Sequence, residues 1–206
     1  MKTDATVFVV DDDASVRKGL SRLLKSAGWN AETYASAAEF LARPAFPGLG
    51  CVLLDVRMPG MKGPELRDQL SARRLTYPVV FLTGHGDVPT GVEAMKKGAV
   101  DFLLKPVDDR VLLQAIEVAV ERHRAARAQA KTLDSIHERV ARLTDRELEV
   151  MQHVIAGCLN KEIADKLGIA EKTIKVHRCR VMHKMEVNSV AELVHLCETA
   201  GIPPRR

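Results

Sequence analysis

Asp11, Asp12, Asp55, Thr83 and Lys105 are far apart in the chain, yet each follows directly on a short apolar run: VFVV, CVLL, VVFL and FLL. Carboxylates, a hydroxyl and an ammonium together suit phosphoryl chemistry with a divalent metal. Asp55 is the candidate nucleophile, because a carboxylate can attack phosphorus and become an acyl phosphate. Asp11 and Asp12 offer hard oxygen ligands to magnesium, which takes one or two carboxylates and keeps positions for water and phosphate oxygens. Asp12 and Asp55 are expected to bind the metal directly, Asp11 mainly through water. Lys105 and Thr83 would contact phosphate oxygens, forming charge-assisted bonds that exist only once the phosphoryl group has arrived. Taken singly, each residue has an ordinary role: Asp11 or Asp13 could cap a helix beginning near Ala14, Thr83 could be a turn hydroxyl and Lys105 a solvated charge. Their common position at the ends of apolar runs favours the joint role.

Strands buried on both faces read as unbroken apolar runs, and ligands of a parallel sheet collect beyond the strands' carboxyl ends. Strands are predicted near 6–10, 30–34, 51–55, 78–82 and 100–104, alternating with amphipathic segments in a βα repeat. Gly28, the segments 44–50 and 59–63, and the Gly-His-Gly around His85 supply the breaks.

A chain of 206 residues suits two domains, each with its own core. A hydrophobic content of 46% with 28% charged residues excludes a largely disordered chain, and 4% aromatic residues leave little for base stacking. No apolar stretch has bilayer length and the N-terminus lacks a secretion-type core, so a cytoplasmic protein without a membrane partner is expected. Cys51, Cys158, Cys179 and Cys197 form no CxxC pair, which argues for free, mostly buried thiols over a zinc knuckle or a disulfide framework. The net charge of +4 is modest, but residues 172–184 contain Lys172, Lys175, Arg178, Arg180 and Lys184 without an acid, the footprint of a helix facing phosphates.

Neither Gly nor Pro occurs from 107 to 156. Leu112, Ile116, Ala119, His123, Ala126, Ala130, Leu133, His137 and Val140 follow a heptad rhythm there. Two readings fit: a long signalling helix with weak coiled-coil character, or a helix ending near Arg124 and followed by a flexible linker. Farther on, Thr144 with Glu147 and Ser189 with Glu192 fit the capping box that opens a helix. Asn160 can cap a short helix, KEIADKL, that stops at Gly168, and a second helix runs over 171–185, giving a helix-turn-helix. Ala170 is a poor cap for that second helix. The domain boundaries expected are 1–122, 123–142 for a helical linker, and 143–206.

Rival functions are constrained by particular residues. A phosphatase working through an aspartyl phosphate needs a general acid/base two residues after its nucleophile. Arg57 stands there and cannot take up a proton at working pH, so no external turnover substrate is expected. An ATP-cleaving enzyme would need a GxxxxGK[ST] loop, which is absent. An acidic pocket serving only as a metal or ligand site, with control through the long helix, is a further alternative.

The segments VVDDDASVR, LLDVRMPGMKG, LTGHGDVP and DFLLKP closely resemble the site segments of two-component response regulators of the FixJ/NarL type. LTDRELEVMQHVIAGCLNKEIADKLGIAEKTIKVHRCRVMHKM is similar to the LuxR-type DNA-binding domain. The resemblance implies an α/β receiver, a doubly wound five-stranded parallel sheet of order 2-1-3-4-5, joined by a long helix to a small all-α helix-turn-helix domain. It implies that a histidine kinase donates a phosphoryl group to Asp55, with Mg2+ or Mn2+ held by Asp11, Asp12, Asp55 and the Arg57 backbone carbonyl. Thr83 and Lys105 would sense the phosphate, Phe102 would turn inward behind Thr83, and Lys105–Pro106 resembles the family's cis peptide bond. The surface made by the helix before the last strand and by that strand would then dimerise, and RNA polymerase is a further implied partner. Two departures from the family pattern, Gly84 directly after Thr83 and Arg57 two residues after Asp55, leave the phosphate lifetime open.

A helix-turn-helix lays its second helix in the major groove. Lys175, Val176 and Cys179 share a face suited to bases, as the resemblance also implies. Lys172, Thr173, His177, Arg178 and Arg180 flank it as phosphate contacts, which position a protein without reading sequence. Ile174 and Val181 are expected in the core. A C-terminal helix over 189–200 carries Val190, Leu193, Val194 and Cys197 as an apolar stripe. Leftover apolar surface there could pair two copies on half-sites of promoter DNA on the order of ten base pairs apart.

Overall fold

In β1 (Ala5–Val10), β3 (Leu49–Asp55) and β4 (Val79–Thr83), successive side chains leave opposite faces of the sheet, and both faces are covered. Val7, Val9, Cys51, Leu53, Val80 and Leu82 pack on one side, against α1 (Ala14–Ser26) and the start of α4 (Asp109–Ala141). Phe8, Val10, Val52, Leu54 and Phe81 pack on the other, against α2 (Ala37–Ala42) and α3 (Gly63–Ala72). Burial of both faces explains the unbroken apolar runs. With β2 (Asn30–Tyr34) at one edge and β5 (Asp101–Leu104) at the other, the five parallel strands take the order β2-β1-β3-β4-β5. This is the predicted doubly wound sheet. The computed structural model describes residues 4–44, 46–73, 75–84 and 99–205, and the chain divides into two units, Met1–Ala126 and Arg127–Arg206. His85 and Gly86 of the predicted Gly-His-Gly turn, with the rest of 85–98, lie outside the described residues.

Gly63 opens α3 at a point of close approach. A Cβ on it would stand 2.5 Å from the Asp55 carbonyl oxygen and 3.1 Å from the Phe81 ring. Gly63→Ala is therefore expected to push the end of β3 outward and to destabilise the first unit by about 2 kcal/mol, the usual scale of overpacking. A thermal or urea melt with an unchanged midpoint would contradict this.

Asp108 starts α4 by accepting the Arg110 and Val111 amides at 2.8 and 3.3 Å. The helix then continues unbroken to Ala141, so the alternative of a helix ending near Arg124 is set aside. Burial of its heptad positions changes along the helix. Leu112, Ile116, Ala119 and His123 are buried in the first unit, Ala126, Ala130 and His137 are exposed, and the buried residue of the later turns is Ile136, which lies off the seam. His123 fixes the packing of this helix beyond residue 122: its Nδ1 lies 3.0 Å from the Gly50 nitrogen and 2.9 Å from the Gly50 oxygen, and its ring meets Tyr77 edge-on at 5.2 Å.

The second unit contains α5 (Asp145–Ile155), α6 (Asn160–Leu167), α7 (Glu171–Lys184) and α8 (Val190–Thr199), packed around Ile136, Val150, Met151, Ile163, Ile174, Val181, Met185 and Leu193. The Thr144–Glu147 capping box is present in both directions, at 3.3 and 2.9 Å. Ser189 accepts the Glu192 amide at 3.1 Å, while Glu192 reaches back to the Asn188 amide instead of that of Ser189. The expectation for Asn160 is corrected. Leu159 is the N-cap residue of α6, its amide is satisfied by Glu162 Oε2 at 2.7 Å, and Asn160 is the first residue of the helix itself. Gly168 ends α6 at φ +64°, a left-handed conformation that glycine adopts without strain, so the chain can turn into α7. On α8, Leu193 and Cys197 are buried and Val190 is left 37% exposed. All four cysteines are free thiols: Cys51 and Cys197 are buried, Cys158 is half-buried and Cys179 is exposed, and burial pushes the Cys51 thiol up to about 12. Among the described residues, no helix is long and apolar enough to cross a membrane.

Candidate functional site

The three neighbouring aspartates 11–13 have different surroundings. Asp13 caps α1, its Oδ1 accepting the Ser15 and Val16 amides at 2.7 and 3.3 Å. Asp11 is thereby turned inward at the end of β1, 1% exposed, with Oδ1 accepting the Asp13 amide at 2.9 Å. Lys105, carried just past β5, donates from Nζ to Asp11 Oδ2 and Asp55 Oδ1, both at 2.6 Å. Asp55 Oδ2 accepts the Arg57 amide at 2.7 Å, which orients the carboxylate at the end of β3. Three of the predicted residues thus form one cluster. Asp12 stands exposed beside it.

Thr83 is 1% exposed, and its carbonyl accepts the Lys105 amide at 2.6 Å, placing the two residues side by side at the sheet end. Its hydroxyl donates to the Gly84 carbonyl at 3.2 Å. The space that a Cβ on Gly84 would enter is bordered by Arg57 Nη2 at 3.6 Å. Phe102 is half-buried, its ring 6.3 Å from that of Phe81, and Lys105–Pro106 is a cis peptide bond.

One ammonium faces two carboxylates. Burial pushes the Asp55 carboxyl above its usual range; Lys105 pulls it down, and the negative charge of Asp11 adds to the upward push. Burial likewise works against the charge of Lys105, but its hydrogen bonds to Asp11 and Asp55 prevail and hold its pKa above the ordinary value. The cluster keeps a surplus of negative charge that favours any bound cation. Among the described residues, no three acidic, histidine or cysteine side chains already converge as a metal cage; between Asp11 and Asp55 stands the Lys105 ammonium. All-oxygen donors with surplus negative charge fit magnesium, a hard cation.

On the second unit, α7 presents Lys175 and Val176 at 65% and 45% exposure, with Cys179, Lys172, Thr173 and Arg180 also exposed. The other residues predicted to meet phosphates are half-buried. Arg178 donates from Nη1 to Asn160 Oδ1 at 2.8 Å, tying the two helices of the motif together. His177 Nδ1 is buried without a hydrogen-bond partner. Lys184 leaves the basic stripe altogether. Its Nζ meets Glu147 Oε2 at 2.6 Å and the Arg142 carbonyl at 3.0 Å. That contact, followed by the Thr144 amide, holds the Glu147 carboxyl down at about 2. The Glu147–Lys184 and Asn160–Arg178 pairs join residues distant in the chain, and no local pattern in the sequence marks them.

The response regulator receiver domain model matches residues 7–117, and the model for bacterial regulatory proteins of the luxR family matches residues 141–197. The chain is 46% identical over 204 residues to the transcriptional regulatory protein FixJ of Bradyrhizobium diazoefficiens, covering 98% of both chains. A solved structure of the response regulator StyR superposes with a TM-score of 0.85 at 49% identity, over 95% of this chain and 99% of that one. Full-length FixJ from B. japonicum gives a TM-score of 0.60 at 45% identity, over 97% and 98%. With its aspartate–lysine cluster at the end of a β2-β1-β3-β4-β5 sheet and its helix-turn-helix beyond, the chain belongs to the two-component response regulators of the FixJ/NarL type, whose LuxR-type DNA-binding domain controls transcription.

Proposed function

We propose that this regulator is switched by phosphorylation of Asp55 and that the aspartyl phosphate promotes a homodimer that binds promoter DNA in the cytoplasm. The observation that carries the reading is Lys105 bridging Asp11 and Asp55 at 2.6 Å to each. A phosphohistidine of the kinase gives up its phosphoryl group as the P–N bond breaks and a P–O bond forms to an Asp55 carboxylate oxygen. Asp11, Asp12, Asp55 and the Arg57 carbonyl would hold magnesium, which would supply neutralisation of charge on the phosphoryl oxygens. Esterification removes the Asp55 carboxylate charge, which frees Lys105 to pair with a phosphate oxygen. The Thr83 hydroxyl gives up the Gly84 carbonyl to donate to another, and Phe102 moves behind it. Raising an active population from about one percent to ninety-nine takes roughly 5.5 kcal/mol, which these charge-assisted bonds and dimer formation supply together. Arg57 provides no general base, so the protein turns over no external substrate.

The test is to treat the full chain with phosphoramidate and magnesium, then measure its mass in solution and its affinity for candidate promoter DNA. The expected result is a modified Asp55, a doubled mass and tighter binding. Modification with neither change would refute the switch. RNA polymerase is the partner proposed to act downstream of the bound dimer. Binding should also weaken by about a hundredfold between ~50 and ~200 mM salt if Lys172 and Arg180 of two copies each meet a phosphate. A flat salt response would remove α7 from the phosphate-facing surface.

A further inference from the structure

Glu171 is the only acid of α7, in a helix whose other charged residues are Lys172, Lys175, Arg178, Arg180 and Lys184. Glu171, Lys175 and Cys179 recur every fourth residue and so form one stripe along the helix. The Glu171 and Lys175 side chains, 48% and 65% exposed, meet at 3.3 Å. A carboxylate in a first helical turn is stabilised by the helix's positive end, and here the N-cap, Ala170, offers no side-chain bond. That benefit exists anywhere in the turn. It does not require the stripe that holds Lys175, the side chain placed to donate to guanine.

Among phosphates a carboxylate is repelled unless a donor awaits it. In the major groove, acidic side chains accept from the N4 amino group of cytosine, while lysine donates to guanine O6 and N7. The four-residue step from Glu171 to Lys175 advances about 6 Å along the helix, against about 3.4 Å per base pair, so the two side chains reach positions within two base pairs of each other. We propose that Glu171 is a second sequence-reading residue, its carboxylate accepting from the N4 amino group of a cytosine one or two base pairs from the guanine contacted by Lys175. The ion pair keeps both side chains extended along the stripe in the free protein. On unsuitable DNA Lys175 can still take a phosphate, whereas Glu171 is left unpaired among negative charges, and this difference generates the discrimination. The inference rests on the reading of α7 as the DNA-reading helix.

Binding-site selection from randomised duplexes, with phosphoramidate-treated full-length protein, tests it with three proteins: unsubstituted, Glu171→Gln and Glu171→Ala. The unsubstituted protein should enrich cytosine about tenfold at one position per half-site. Glu171→Gln should move that position to adenine, whose N6 and N7 glutamine binds in pairs. Glu171→Ala should flatten it, with all other positions retained. A preference unchanged in all three proteins would overturn the proposal, even if both variants bound every duplex more tightly or melted earlier, since that is a general charge or helix-end effect. Enrichment of adenine by the unsubstituted protein would overturn the cytosine assignment. If the unsubstituted protein enriched no sequence at all, the base-reading role of α7 would itself fall.

Discussion

Asp55→Asn protein will take up no phosphoryl group from phosphoramidate, and it will do so while keeping the stability of the unsubstituted chain. The first half follows from chemistry: an amide lacks the nucleophilic carboxylate oxygen needed to form an acyl phosphate. The second follows from the electrostatics of the cluster. In the native protein, Asp11 and Asp55 share one ammonium, and burial already pushes the Asp55 carboxyl upward. Asparagine has the same shape, retains an oxygen for Lys105 or the Arg57 amide, and leaves Lys105 balanced one-to-one against Asp11. Relieving a buried surplus charge does not weaken a fold. Intact-protein mass spectrometry beside a thermal melt distinguishes the outcomes. Continued modification would exclude Asp55 as the acceptor, and a collapsed melting transition would refute the charge argument.

The second large effect is expected in the other unit. Glu147 is 2% exposed, closes the cap of α5 by accepting the Thr144 amide at 2.9 Å, and pairs with Lys184 at 2.6 Å near the end of α7. Glu147→Ala removes the cap and strands Lys184, at an expected loss of about 3 kcal/mol. Because Lys184 also donates to the Arg142 carbonyl, and Arg139 donates to the Met185 carbonyl at 3.1 Å, this end of α7 is held by several elements that should loosen together. DNA binding should fall while phosphoryl uptake by the first unit persists. Acid supplies a second reading of the same group. The native carboxyl titrates at about 2, below its ordinary 4.5, owing to Lys184 and then to the Thr144 amide. Its contribution is therefore complete above about pH 4.5 and is lost as the pH falls toward 2. Amide hydrogen exchange over 144–199 should show that loss in the native chain and not in Glu147→Gln. Equal acid sensitivity of the two proteins would contradict the assignment.

Much of this molecule is encoded locally. Strand ends, the order of elements and the Thr144–Glu147 and Ser189–Glu192 caps were legible because apolar periodicity and capping act over a few residues, and the structure places them close to the expected positions. Resemblance of the motif segments carried the strand order and the cis bond before Pro106. Where local signals compete, sequence reasoning erred. Asn160 has the right chemistry for a cap, but it is the first residue of α6 and its side chain accepts from Arg178 instead.

The sequence by itself determined which side chains stand at the strand ends and which helix carries the basic face, because hydrogen-bonding period and burial act on each segment separately. Tertiary structure alone decided that Lys105 sits between Asp11 and Asp55, that Glu147 removes Lys184 from the basic stripe, and that His123 anchors α4 at Gly50. Each of these contacts joins groups distant in the chain, whose pairing depends on strand register and helix packing to a few tenths of an ångström, and no local pattern encodes that geometry.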